Sequence, residues 1–374
     1  MNLIAERAER STGPSQLSRF HSCDRARLPA ALVLVVALTV AMGAPLLPPM
    51  APALAEPQVA PSLRVEVVAT GIPRPIQHAW RGPGQLVVLS HGWKGDAAGE
   101  IYHLDLSGPL PVDAEGAPHQ VIPYSKEPRK AAFGSLAVDA DRGDLFLGEE
   151  NGNRIYRLGA DQRLQTVVVG LNHLLGGSTL ALDQLRRLVF LDYASPETQQ
   201  RSEAPLPPSL SWLMDEGYRG PLVFRIDPRE QRPLPRRADL LAPLLPRGGA
   251  IPPGQEPLWR LIGVSATADD NLVFLSSVGE VLRLSPGSEL RVVARLPPFH
   301  YHRTNLAMGP DGSVFVCGGF HIRQIFRISP AGEVSTIASE LGDPGGIVLD
   351  REGVLYVAET ALHRIIRIAP AGRR

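Results

Sequence analysis

The segment "GIVLDREGVLYVAETALHRIIRI", residues 346–368, reads as apolar strand, tight turn, apolar strand, loop, apolar strand. Nearly the same sentence stands at 135–158, "SLAVDADRGDLFLGEENGNRIYRL". In the turn "DREG", Asp350 can bond its own backbone and Gly353 tolerates positive φ. Further copies begin at Gln77, Thr179, Val264 and Asn305, and where nothing is inserted they recur about every 40 residues. A fourth strand follows most copies, as in "LQTVVVGL" and "EVSTIASEL". Two-residue alternation and β-branched content exclude a helical repeat of similar period. The pattern predicts an all-β, six-bladed β-propeller with four-stranded blades.

The last copy stops after three strands, at "RIIRIAPAGRR". Near the other end, "LRVEVVATGI" at 63–72 reads as the strand that is missing. The last blade is therefore expected to be closed by the N-terminal strand, leaving no open edge at the seam.

Residues 1–55 have a different character. Arg7, Arg10, Arg19, Arg25 and Arg27 precede an apolar run from Leu28, and Ala53 and Ala55 fit the small-x-small pattern of a cleavage site. This predicts a signal peptide removed before Glu56, and an exported protein, periplasmic or extracellular. A retained anchor is the alternative, since the run is just long enough to span a bilayer. Cleavage would remove Cys23 and leave Cys317, whose apolar setting "SVFVCGG" reads as a buried structural thiol. Lys plus Arg equals Asp plus Glu at 38 each, so no net field points to nucleic acid or an anionic membrane. A monomer with no membrane contact beyond the leader is expected.

Two insertions interrupt the third copy, at about 193–220 and 228–260. Both belong to the face where loops between second and third strands, and between blades, emerge, so they are expected to cap that mouth of the channel. Within the first, "SLSWLMDEG" reads as a short helix from Ser209 to Gly217 that would hold Trp212 over the mouth. The topology also brings His91, Glu149, Asn172 and Glu359 to this face. In "PFHYHRTN", His300 and His302 alternate onto one side of an extended chain and are the candidate metal ligands. Together with Glu150 and Asp192 they are also the candidate catalytic groups. Arg129, His173, Arg303, Asn305, His321 and Trp212 are the candidate ligand contacts. No GxSxG, HExxH, P-loop or CxxC motif is present.

The stretches "GPDGSVFVCGGFHIRQIFRISPAGEVSTI" and "GGIVLDREGVLYVAETALHRIIRI" resemble NHL-type repeats and the six-bladed propellers related to them. That superfamily includes the SMP-30/gluconolactonase-like hydrolases and the virginiamycin B lyase-like proteins. The resemblance spans roughly residues 63–370. For the gluconolactonase-like members it implies a divalent metal on the axis, held by Glu, Asp and two Asn at strand starts. The corresponding positions here are Ile76, Gly134, Ser178, Gly263, Thr304 and Gly345, none of them Glu, Asp or Asn. For the lyase-like members it implies His and Glu with magnesium. The expected function is an exported module that binds a small molecule, glycan or protein at the capped mouth. The alternative is a lactonase- or esterase-type hydrolase, or a lyase, assisted by a divalent metal.

Overall fold

"LVFLDYA", Leu188–Ala194, is apolar at consecutive positions rather than alternate ones, the mark of a strand whose sheet is covered on both faces. The computed structural model shows what covers it. It describes residues 56–93, 97–124, 130–150, 153–171, 176–194, 220–230, 235–236, 239–243, 260–287, 290–299, 301–318 and 322–372. Among these, six antiparallel sheets form the blades of a propeller.

From innermost strand outward, blade I is Pro75–Gly82, Gln85–Ser90, Gly99–Asp105 and His119–Ile122. Blade II is Phe133–Asp139, Asp144–Glu149, Arg154–Leu158 and Leu164–Val168. Blade III is Leu180–Leu182, Leu188–Ala194, Gly220–Ile226 and Leu240–Pro243. Blade IV is Leu261–Ala266, Leu272–Ser276, Glu280–Leu284 and Leu290–Arg295. Blade V is Asn305–Met308, Val314–Cys317, Ile325–Ile328 and Val334–Ser339. Blade VI is Pro344–Leu349, Leu355–Glu359 and Arg364–Pro370, completed by Leu63–Thr70. Each innermost strand touches the next, and that of blade VI returns to that of blade I.

The seam closes as the two chain ends suggest. Val65 pairs with Ile368, Glu66 with Arg367 and Val67 with Ile366 in an antiparallel ladder. Two short strands extend the sheets beyond four. Gln58–Val59 adds to the outer edge of blade V, and Val112–Asp113 runs parallel to Ala69 and Thr70 on blade VI. Both cover edges that would otherwise offer free hydrogen-bonding groups. Of the second insertion, Leu240–Pro243 is the fourth strand of blade III, with Val223 opposite Ala242.

The core divides into six apolar clusters, one between each pair of neighbouring blades. Strand alternation explains the division. In Leu188–Ala194, Leu188 and Phe190 face blade II, while Val189 and Leu191 pack toward blade IV.

A second repeated interaction pins the face opposite the mouth. Third strands of five blades carry an arginine paired with an acid: Arg157 with Asp144, Arg225 with Asp183, Arg283 with Asp269, Arg327 with Asp311 and Arg367 with Glu66. The more exposed of these, such as Arg283 with Asp269 and Arg327 with Asp311, contribute roughly 0–1 kcal/mol each and fix register more than they stabilise, whereas Asp183 is buried.

His78 sits at the junction of blades I and VI. Its Nε2–H donates to the carbonyl of Tyr356 at 3.0 Å, and its buried Nδ1 has no partner among the described residues. Burial lowers its pKa from 6.5 to about 4, opposed by that hydrogen bond. The unfolded chain takes up the proton as pH falls through 6.5, while the folded ring resists until about 4. Stability from this group is therefore present above pH 6.5 and lost on acidification, by about 3 kcal/mol at the lower end. His78→Gln keeps a donor at the same reach and removes the titration. Thermal unfolding at pH 7 and pH 4.5 should show a smaller acid-induced drop for the variant than for the parent; equal drops would exclude His78 as a source.

Candidate functional site

Where the six innermost strands converge, the channel is tied across by one hydrogen-bonded knot. Asn305, buried at the first position of its strand, is the centre. Its Oδ1 accepts from the Nε2 of Gln77 in blade I and from the hydroxyl of Ser178 before blade III, the latter at 3.0 Å. Its Nδ2 donates to the carbonyl of Gly345 in blade VI at 2.8 Å. The Ser178 hydroxyl also accepts the amide of Leu306 in blade V at 3.2 Å. Ser178 extends the tie to blade IV through its carbonyl, which accepts from Val264 at 2.7 Å, and Gly177 donates to Gly134 of blade II at 2.9 Å. Every blade takes part.

The backbone can come this close to the axis because its crossing residues are glycines. A Cβ at Gly134 would lie 2.7 Å from the Cα of Gly176. Gly177 has φ +103°, and its Cβ would lie 2.8 Å from the carbonyl oxygen of Thr304.

On the mouth side of this floor lies a pocket of about 180 Å³. Its walls come from Ile76, Pro344 and the backbones of Gly134, Gly176, Gly177 and Gly345. Its polar groups are Arg74, Gln77, His91, Glu150, Arg303, Asn305, Asp343 and Thr360. Arg303 gives Nε and Nη2 to one oxygen of Glu150, at 3.2 and 2.8 Å, joining blade V to blade II across the mouth. The carboxylate is nearly buried and the guanidinium 39% exposed. Arg74 is exposed, and its guanidinium makes no hydrogen bond or ion pair among the described residues.

His91 is half-buried between these arginines. Its pKa is lowered to about 4, first by burial, then by the charges of Arg74 and Arg303, against a hydrogen bond to the carbonyl of Phe133. That contact, at 3.2 Å from Nε2, requires the proton on Nε2. At neutral pH His91 is thus an uncharged imidazole presenting Nδ1 as an acceptor.

The structure brings His91, Glu150, Arg303 and Asn305 together as pocket-lining residues. Other expected mouth residues are placed elsewhere. Asp192 is buried and accepts the amide of Tyr193 at 2.8 Å. Glu149 accepts from the Tyr156 hydroxyl at 3.3 Å. Glu359 accepts from the amide of Gly342 and pairs with Arg364 at 2.5 Å, so it is a loop anchor. His302 is half-buried outside the pocket lining. Cys317 is buried, donates to the Gly345 carbonyl at 2.9 Å, and has its thiol pKa raised by burial. Arg129, Asn172, His173, Trp212, His300 and His321 lie outside the described residues, as does the expected helix of the cap. Among the described residues no three His, Cys, Asp or Glu side chains are grouped to hold a metal ion.

The sequence reading missed Arg74, Asp343 and Thr360. Arg74 and Asp343 occupy equivalent places in adjacent blades, each directly before the proline that opens an innermost strand and each with positive φ. Aligning "RPIQ" on "DPGG" by that proline would have found both.

No protein-family profile matches the sequence, and no curated protein matches it. Solved structures match in fold. A gluconolactonase from Xanthomonas campestris aligns at 15% identity and TM-score 0.53, covering 84% of this chain and 94% of that one. A carbohydrate-active enzyme of family AA12 from Trichoderma reesei aligns at 12% identity and TM-score 0.53, covering 84% and 98%. The virginiamycin B lyase from Staphylococcus aureus aligns at 14% identity and TM-score 0.49, covering 84% and 99%. The chain shares the propeller fold of the first two. At these identities the likeness extends to architecture alone.

The knot gives a direct prediction. Asn305→Asp keeps the acceptor but sets a carboxylate oxygen against the Gly345 carbonyl in place of the N–H donor. The cost should be about 2–3 kcal/mol, as for a buried polar group left wrongly paired. Urea unfolding checks it, and an unchanged midpoint would mean that the tie carries no stability.

Proposed function

We propose that the mouth pocket binds a small organic oxyanion, and that the protein is an exported ligand-binding propeller. One observation carries this reading. Arg74 and Arg303 line a small blind pocket, and Arg74 has no neutralising partner among the described residues. Arg303 is held in place by one oxygen of Glu150 and remains partly exposed at the pocket. Neutral His91 adds an acceptor for a ligand hydroxyl or N–H beside the anion.

The expected sign of the coupling follows from His91. A bound anion offsets the field of the two arginines, so the His91 pKa should rise from about 4 when the pocket fills. Methanesulfonate, whose charge does not titrate, is the probe, and NMR of the imidazole is the readout. Arg74→Ala and Arg303→Ala should each weaken anion binding at pH 7 by about tenfold or more, the loss of one charge-assisted hydrogen bond. Unchanged affinity in both variants would remove the reading.

A hydrolase of the lactonase type is the second reading, by analogy with the gluconolactonase that shares the fold. His91 is its candidate acid–base group, although an imidazole with pKa about 4 is a weak base at neutral pH. A divalent metal would have to draw on His300 and His302. Its test is a thermal shift with Ca²⁺, Mg²⁺, Mn²⁺ or Zn²⁺ that disappears in the His300→Ala, His302→Ala variant, together with turnover of a lactone.

Export rests on residues 1–55, which lie outside the described residues. Cleavage before Glu56 would leave the first strand, Gln58–Val59, intact on blade V. Sequencing the N-terminus of protein recovered from the periplasm or medium should begin at Glu56.

A further inference from the structure

An exposed tryptophan stands beside the anion pocket without a described role. Trp93 follows His91 by two residues on the same loop and is 60% exposed. Its ring rests on His363, with centroids 4.5 Å apart and planes at 55°. His363 is fixed in turn, because its Nδ1 accepts the backbone N–H of Arg74 at 3.0 Å. The indole is thus linked through the imidazole to the backbone of Arg74, a residue of the pocket lining. Gln77 and Asn305 of the axial knot also line the pocket, so a ligand longer than its anionic group extends outward, on the side where Trp93 stands.

We infer that the ligand is an aromatic carboxylate, with its carboxylate on Arg74 and Arg303 and its ring against Trp93. The inference rests on the anion-binding reading and adds the chemistry of the remainder of the ligand. A flat, rigid ring can lay one face on the indole while its carboxylate reaches the guanidinium groups of the pocket. An indole exposed this far also gives area at low conformational cost, since its ring is already held from one side by His363.

Phenylacetate and acetate, both fully ionised at pH 7, separate the two ideas when titrated against the purified protein and followed at the His91 imidazole. Phenylacetate should bind at least fivefold more tightly than acetate, about the benefit of one aromatic contact. Trp93→Ala should bring that ratio close to one, and Trp93→Phe should restore most of it. Trp93 is exposed enough that both variants are expected to fold, which an unchanged melting temperature verifies. Acetate binding with no preference for phenylacetate, or a preference untouched by Trp93→Ala, overturns the aromatic inference and leaves the anion site standing. Binding of neither probe overturns both.

Discussion

The site depends on a constraint at the axis: six strands that radiate from a channel must be tied where they come closest. Asn305 supplies that tie, because its primary amide both accepts and donates in a fixed plane. Two donors reach its oxygen, from blades I and III, while its nitrogen reaches a carbonyl of blade VI. Backbone bonds from Gly177 and Ser178 extend the tie to blades II and IV. A buried amide with its groups satisfied costs little, whereas the same group half-satisfied is expensive. The knot therefore holds as a unit, and it turns an open channel into a floored pocket.

From that floor the electrostatics follow. Burial makes the charged imidazole of His91 costly, and two nearby guanidinium groups make it costlier. The same two groups are what an anion would meet. Glu150 takes up part of this field through one oxygen and Arg303, and Asp343 adds a second carboxylate to the lining. The proposed anion site therefore depends on where two guanidinium groups stand within the pocket and not on an excess of positive charge, just as the whole chain carries equal numbers of basic and acidic residues. Net charge says little about a local field.

The architecture was legible in the sequence because each blade repeats a physical requirement. Every copy needs a tight turn with one residue at positive φ, Gly353 in the last copy but Arg186 and Asp270 in the third and fourth, and apolar strands covered on both faces, so the pattern recurs where those needs recur. Closure by 63–72 was legible for the same reason: a three-stranded last copy leaves an edge that must be filled. The site was legible only in part. His91, Glu150, Arg303 and Asn305 could be placed by topology, since second-strand ends and strand starts crowd the mouth. Their partners could not. That Asn305 bonds Gln77, 228 positions away, depends on how blades I and V face each other across the axis. Arg74 and Asp343 were hidden behind prolines that read as turn punctuation. The fourth strand of blade III was hidden inside a proline-rich insertion, where "LLAP" is too short to show a period.

Most arginines of the ring are satisfied within the fold, including Arg364 with Glu359 and Arg323 with Glu340 at the mouth-side ends of third strands, and the exceptions separate scaffold from site. On the face away from the mouth, arginines of third strands meet acids from the adjoining turns or the neighbouring strand, blade after blade, and Arg225 pairs with an Asp183 that is itself buried. Such arginines are satisfied before any ligand arrives and read as register pins. Two arginines in the pocket lining break the pattern. Arg303 leaves the repeat to reach across the axis to Glu150, and Arg74 reaches no carboxylate among the described residues. A guanidinium held at a pocket rim without a counter-charge gains nothing for the fold, since its burial is slight and its solvation largely intact. Its place in the pocket lining, with no carboxylate partner among the described residues, is what supports the proposed anion site over the more numerous ion pairs of the scaffold.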